Sequence, residues 1–263
     1  LSPVDPAARW TRTNRSGMAV YSYSVNYLID CEASVIMDVE GSGAIRQAEV
    51  NVTRGMIERV ETTYDIKPKR LAADTAYGSA PMLNWLVEDK DIEPHIPVFD
   101  KSARKDGTFE RNDFTYDEAE DRYICPAGKN LKRYRVAGRR AKAGNVPKNG
   151  IYRYRALKAD CDACALKPKC CPQLPMRKVP RSIYEASRDV ARNLRGTPDY
   201  EFMRHERKKD EMSFAHLKTS KKLGRLRLRG PTGANDEFLL AATAQNLRKM
   251  AKLYMNGHEM STA

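Results

Sequence analysis

Polar and apolar residues alternate from Val20 to Asp30, Val-Tyr-Ser-Tyr-Ser-Val-Asn-Tyr-Leu-Ile-Asp, and a second β-rich run, Ser34 to Val39, follows after a short turn. Period-two alternation marks a strand with one face turned inward, so the two runs predict a hairpin. The period then changes. From Ala44 to Tyr64 apolar residues recur at Ile45, Ala48, Val52, Met56 and Val60, a spacing that predicts an amphipathic helix. A small apolar run from Leu71 to Ala73 predicts a strand that stops at Asp74, and Thr-Ala-Tyr-Gly behind it predicts a turn into a helix starting near Ser79 and covering Pro81 to Asp89. A short strand from Glu93 to Val98, split by Pro94 and Pro97, completes the order strand, strand, helix, strand, helix, strand. Ahead of all this, residues 1–19 are polar and contain Ser2-Pro3-Val4-Asp5-Pro6, which predicts an extended entry segment.

Residues 99 to about 180 break the pattern. They show little periodicity, hold five of the six Cys, and read as an insertion. Helical spacing resumes from Arg181 to Arg195, and Thr197-Pro198, a cap residue with Pro at the first helical position, opens a longer helix to about Leu223. Asn235-Asp236-Glu237 is expected to cap a last helix whose apolar face uses Phe238, Leu239, Ala242, Asn246, Leu247, Met250 and Tyr254. No internal repeat is visible. The expected organisation is therefore residues 1–98 as the first part of a core, 99–180 as the insertion, and 181–263 as a helical second part.

With 41% hydrophobic and 31% charged residues over 263 positions, the composition is that of a soluble globular protein with room for a sizeable core. No run of eighteen apolar residues and no charged-then-apolar leader pattern is present, which predicts a cytoplasmic chain without a membrane span. The chain starts at Leu1 without an initiator Met, and is expected to be a fragment. Net charge is +13, and its placement changes the picture more than its size. Between Arg122 and Arg181 there are 17 Lys and Arg against Asp160 and Asp162, so this segment carries 17 − 2 = +15 and the remainder about −2. Tyr123, Tyr134, Tyr152 and Tyr154 are interleaved with it, which suits contact with a nucleic-acid backbone. The plain alternative is a solvated basic surface or, for Val136 to Gly150, a disordered loop.

Asp74 stands at the carboxyl end of a predicted strand, the edge where ligands and catalytic groups gather in open α/β sheets. Turn shaping or helix capping is the competing role for an Asp there. In the helix after Thr197, Arg207, Glu211, Phe214 and Lys218 follow at offsets of four, three and four, which puts them on one face. By itself that face is an exposed ion-pair ladder.

Taken together, these stretches resemble the DDE transposases of bacterial insertion sequences. The resemblance runs over the hairpin Tyr21 to Val39, Leu71-Ala-Ala-Asp-Thr-Ala-Tyr-Gly, Cys125-Pro-Ala-Gly-Lys, and the tail from Arg227-Leu-Arg-Gly through Glu237-Phe-Leu-Leu to Asn246-Leu-Arg-Lys. Arg207, Glu211 and Lys218 match the family's Tyr-x2-Arg-x3-Glu-x6-Lys signature, while its Tyr position is Arg204 here. The resemblance implies an α/β fold, an RNase-H-like mixed sheet flanked by helices with a basic Cys-rich insertion. It also implies metal-dependent DNA strand cleavage and strand transfer, with Asp74 and Glu211 as carboxylates for Mg²⁺ or Mn²⁺, and Arg207 and Lys218 orienting Glu211 or contacting phosphate. Double-stranded DNA, as transposon ends and target, is the implied partner, with a homo-oligomer expected of the full-length protein. Such enzymes hold two ions about 3.5–4 Å apart with three carboxylates. The first acid is expected upstream of Leu1, since Asp5 lies in a turn and Asp30 ends a hairpin strand. The isolated fragment is therefore expected to be inactive. The alternative is a non-catalytic nucleic-acid-binding relic of a transposase.

The cysteines add one more expectation. Cys125, Cys161, Cys164 and Cys170 would make a tetrahedral structural Zn²⁺ site with Cys171 spare, although their spacing is not that of a double knuckle. Free cytosolic thiols are the alternative. Cys31 stands apart, and His95, His205, His216 and His258 are scattered and expected in core or surface roles.

Overall fold

The predicted hairpin is the central part of a three-stranded antiparallel sheet. In the computed structural model, which describes residues 2–12, 18–100, 104–134, 147, 149–220 and 225–261, β1 (Arg9–Arg12) pairs with β2 (Ala19–Asp30), and β2 with β3 (Val35–Gly43). Part of the entry segment is thus an edge strand. Asp30 ties the hairpin turn, its carboxylate accepting from the N–H groups of Glu32 (3.3 Å) and Ala33 (3.2 Å). Helix α1 (Arg46–Tyr64) packs on β2 and β3 and buries Met56, Ile57 and Val60.

From α1 the chain enters β4 (Arg70–Ala72), crosses through α2 (Ala80–Asn84) and one wider turn (Trp85–Asp89), and returns in β5 (Glu93–His95), parallel to β4. Parallel neighbours need such a crossover, and α2 supplies it with an apolar face. Leu71, Leu83, Leu86, Ile92 and Ile96 close with Ile57 around this unit as one core.

The unpatterned stretch folds into a second sheet. Strands β6 (Thr115–Asp117), β7 (Arg122–Ile124), β8 (Asn130–Arg133), β9 (Ile151–Arg155) and β10 (Lys178–Ser182) lie in the order β10-β9-β8-β7-β6, all antiparallel. Strands this short give alternation little length in which to show. Helices α3 (Lys158–Asp162) and α4 (Lys167–Cys170) lie between β9 and β10. Tyr123, Leu131, Tyr154 and Val179 form a second core with Phe114, Cys161 and Cys171. Most of Val136 to Gly150 lies outside the described residues.

A buried carboxylate joins this sheet to the helices that follow. Glu185, at the start of α5 (Glu185–Leu194), accepts from Arg111, from Arg188 (3.0 Å), from Arg192 (2.8 Å) and from the N–H of Ser182 (3.2 Å). Arg192 and Arg188 also reach Asp100, at 2.8 and 3.3 Å. Burial opposes the charge of Glu185, but the guanidinium groups, Arg111 foremost, outweigh it and hold the carboxyl below its usual range.

Helix α6 (Pro198–Ser220) starts as expected, with Thr197 Oγ1 accepting from Tyr200 N at 3.2 Å. The last helix does not. Helix α7 runs Gly230–Ser261, so Asn235-Asp236-Glu237 lies inside it rather than at its cap. Asn235 instead accepts from Gly41 N of β3 at 2.8 Å, and Glu237 accepts from the N–H groups of Arg227 and Leu228. The carboxylate at the start of α7 is Asp5, which accepts from Gly230 N (2.9 Å) and the Tyr23 hydroxyl (2.9 Å). The expected apolar face is also only partly used. Phe238 and Ala242 are buried against Val39, whereas Leu239, Leu247, Met250 and Tyr254 are exposed.

The molecule is α/β, with a mixed set of antiparallel and parallel strands flanked by helices, an architecture consistent with an RNase-H-like fold.

Candidate active site and thiol pocket

Asp74 lies two residues beyond β4, exposed, at the carboxyl end of the parallel pair. Its Oδ1 accepts from Ala76 N at 2.7 Å and so caps the single turn Thr75–Tyr77. The capping role is therefore real, and it uses one carboxylate oxygen. Behind Asp74, Tyr77 is half-buried against the core, and burial raises its phenol above the ordinary value. Gly78 completes the motif for a steric reason. A Cβ there would meet the Pro97 carbonyl oxygen at 2.0 Å and Phe99 N at 2.7 Å, and Gly78 O accepts from Phe99 N at 2.8 Å. Only glycine lets the turn behind Asp74 lie against the chain leaving β5.

Helix α6 is anchored on this pair of strands through its first turn. Asp199 pairs with Arg70 at 2.6 Å, and the buried Tyr200 ring stacks on His95 with centroids 5.8 Å apart. His95 is buried in β5, and burial lowers its pKa, which favours the neutral imidazole. Twelve residues past Asp199, Glu211 is exposed and pairs with Arg207 at 3.4 Å. Arg204, at the signature's Tyr position, pairs with Glu201 at 2.6 Å. The structure thus brings together Arg207 and Glu211, and connects α6 to β4, while Asp74 and Glu211 stand on separate elements. The Lys218 side chain lies outside the described residues.

For Mg²⁺ the donor chemistry is suitable: hard oxygens on exposed carboxylates, one oxygen of Asp74 being free of the cap. Among the described residues, however, no group of three or more His, Cys, Asp or Glu is arranged to hold a metal ion. The Asp5 and Asp30 carboxylates are both engaged in turn and cap hydrogen bonds.

The six cysteines are free thiols. Five of them, Cys125, Cys161, Cys164, Cys170 and Cys171, line one cavity of about 30 Å³ beside α3 and α4. Cys125 sits in a tight turn in which Gly128, at φ 73°, lets Lys129 N donate to Cys125 Sγ at 3.3 Å. Burial raises the Cys161 thiol above its ordinary value, with the nearby Arg177 backbone opposing it. Cys171, expected as a spare, is buried and adjoins Cys161 and Cys170. Burial and the neighbouring Cys171 push the Cys170 thiol up to about 12, which keeps it protonated in the absence of a cation.

Comparison with known families covers just under half of the molecule. Residues 124–251 match the family described as "Transposase DDE domain", a match that supports a DDE transposase fragment. The match includes Cys125, the thiol pocket, Arg207, Glu211 and Lys218, while Asp74 lies N-terminal to it. No curated protein and no solved structure gives a significant match. Among the described residues no helix is long and apolar enough to cross a membrane.

Two features of the site had faint sequence signals. Thr-Ala-Tyr-Gly marks Gly78 as a turn residue, but the contact that demands it, with Pro97 and Phe99, is nonlocal. Glu185 sits among Arg181, Arg188 and Arg192, a spacing that suggests ion pairs but not that the carboxylate is buried.

Proposed function

We propose that this chain is the catalytic part of an insertion-sequence transposase, cutting and joining DNA strands with Mg²⁺ or Mn²⁺. The observation that carries the reading is the family match across Glu211, taken with the anchoring of its helix on β4, two residues ahead of Asp74. Asp74 and Glu211 serve as metal carboxylates, Arg207 orients Glu211, and Lys218 contacts phosphate. The ions, when bound, supply the activation of the attacking oxygen and the stabilisation of the leaving one. The protein's part is to hold its carboxylates rigidly, and the Asp74 cap with Gly78 behind it does this at the strand end. The test is strand nicking of a duplex carrying the element's ends. Metal-dependent nicking that disappears in both Asp74→Ala and Glu211→Ala supports the assignment, and nicking that survives either change removes that residue from it. The fragment alone is expected not to nick under either reading, so the assay uses a protein that also carries the first acid; one that binds duplex DNA yet never nicks it favours the second reading, a non-catalytic DNA-binding relic.

The thiol pocket is the structural part of the same proposal. Five thiols line one cavity without being arranged for a metal as they stand, so Zn²⁺ would have to replace thiol protons and draw four sulfurs inward. Purified chain should carry one zinc ion and lose it on Cys161→Ser. A metal-free preparation that melts at the same temperature with and without added zinc would make the pocket a plain thiol core.

A further inference from the structure

The five-stranded sheet has two faces, and its register sorts the basic residues between them. Tyr116, Tyr123, Leu131, Tyr154 and Val179 point to the core side. Side chains alternate along a strand, so their neighbours Arg122, Lys132, Arg155 and Lys178 point to the other side. The pairing places these four directly opposite one another across four adjacent strands: Arg122 faces Lys132, Lys132 faces Arg155, and Arg155 faces Lys178. Three strand spacings make the row about 14 Å long. Lys132, Arg155 and Lys178 are exposed, and among the described residues none of these three has an acidic partner. Asp117 on β6, opposite Arg122, closes one end of the row and pairs with it at 2.9 Å. Arg153 adds a further charge on the same face, and the Arg155 guanidinium lies 3.8 Å over the Tyr134 ring, which holds it in place.

Like charges directly opposite on a sheet destabilise it, so a row of this kind is unfavourable in the free protein and becomes favourable against a polyanion. We infer that this outward face binds a nucleic-acid phosphate backbone, with Arg122, Lys132, Arg155 and Lys178 as the contacting row. The choice of DNA as the polyanion rests on the transposase reading, and the row itself rests on the strand register. Its contacts are to phosphate, so the binding is without sequence preference and steeply salt-dependent.

The experiment is fluorescence anisotropy of the full chain with a short labelled duplex of arbitrary sequence, over a series of salt concentrations. Lys132→Gln with Arg155→Gln should weaken binding roughly tenfold or more and lower the log–log salt slope by about 2. Lys158→Gln with Lys167→Gln removes the same charge from the two lysines paired with Asp162, at 2.5 and 2.6 Å, and should leave both quantities near the parent's. Equal losses in the two pairs would reduce the row to a net-charge effect and overturn the inference, as would unchanged binding by the row variant, or row-dependent binding to anionic vesicles with none to DNA. If the neutral pair melts below the parent, the charge-keeping pair Lys132→Arg with Arg155→Lys decides: retained binding supports the row and lost binding overturns it. Nicking reads Asp74 and Glu211 while anisotropy reads the row, so a failed catalytic assignment and a failed binding surface give different results.

Discussion

Arginine does opposite things on the two sides of the five-stranded sheet. On the core side Arg181 lies 3.6 Å over the Tyr116 ring and donates to the Tyr123 hydroxyl at 3.2 Å. Arg133 stacks 3.5 Å over Tyr152, and Arg177 donates to the carbonyls of Cys170 and Phe109, at 2.9 and 2.8 Å. These cations are spent on the fold. On the outer side Lys132, Arg155 and Lys178 face one another and water. A segment charge of +15 cannot distinguish the two uses. Geometry can: a cation bonded to carbonyls and rings contributes to stability, and one ranked beside its like opposes it and is left open to an anion.

The comparison predicts effects of very different size. The largest belongs to Glu185, the buried carboxylate that neutralises Arg111, Arg188 and Arg192. Glu185→Ala leaves Arg111, Arg188 and Arg192 beside a buried void with only the more exposed Asp100 and Asp189 as partners, and should cost about 3–5 kcal/mol. Urea unfolding measures it, and a loss below about 1 kcal/mol would show that water already screens the cluster. Neutralising the outer row should cost nothing. Lys132→Gln with Arg155→Gln removes a like-charge pair, and is expected to leave stability unchanged or raise it by up to about 1 kcal/mol. A clear fall in melting temperature for that pair would mean that the outer cations also hold the fold, and the distinction between the faces would break.

Legibility in the sequence followed the length of each element. The hairpin and α1 were readable because β2, at 12 residues, and α1, at 19, are long enough to show their period, whereas β4, at three, was legible only through the small apolar run that stops at Asp74. The second sheet was not, since β6 and β7 have three residues each and their partners are set by register. One clue did exist: Ile151-Tyr-Arg-Tyr-Arg155 alternates, and its two arginines are the outward ones. The α7 cap was misplaced because Asp5, which accepts from Gly230, is 225 positions away. At the candidate site the motif pointed to Asp74 and to the Arg207 and Glu211 pair, but both roles of Asp74, cap and candidate ligand, use the same carboxylate. Sequence offers no way to separate them.

The most direct measurement of the central claim is therefore one of shared metal. Fe²⁺ substituted for Mg²⁺ produces hydroxyl radicals where it is bound, and peptide cleavage then marks the residues around the ion. Cleavage is expected close to both Asp74 and Glu211, suppressed by excess Mg²⁺, and Glu211→Ala should abolish the cuts near Asp74. Cuts near Asp74 that persist undiminished in Glu211→Ala, or an absence of cuts at both positions, would contradict a metal locus shared by the end of β4 and the middle of α6.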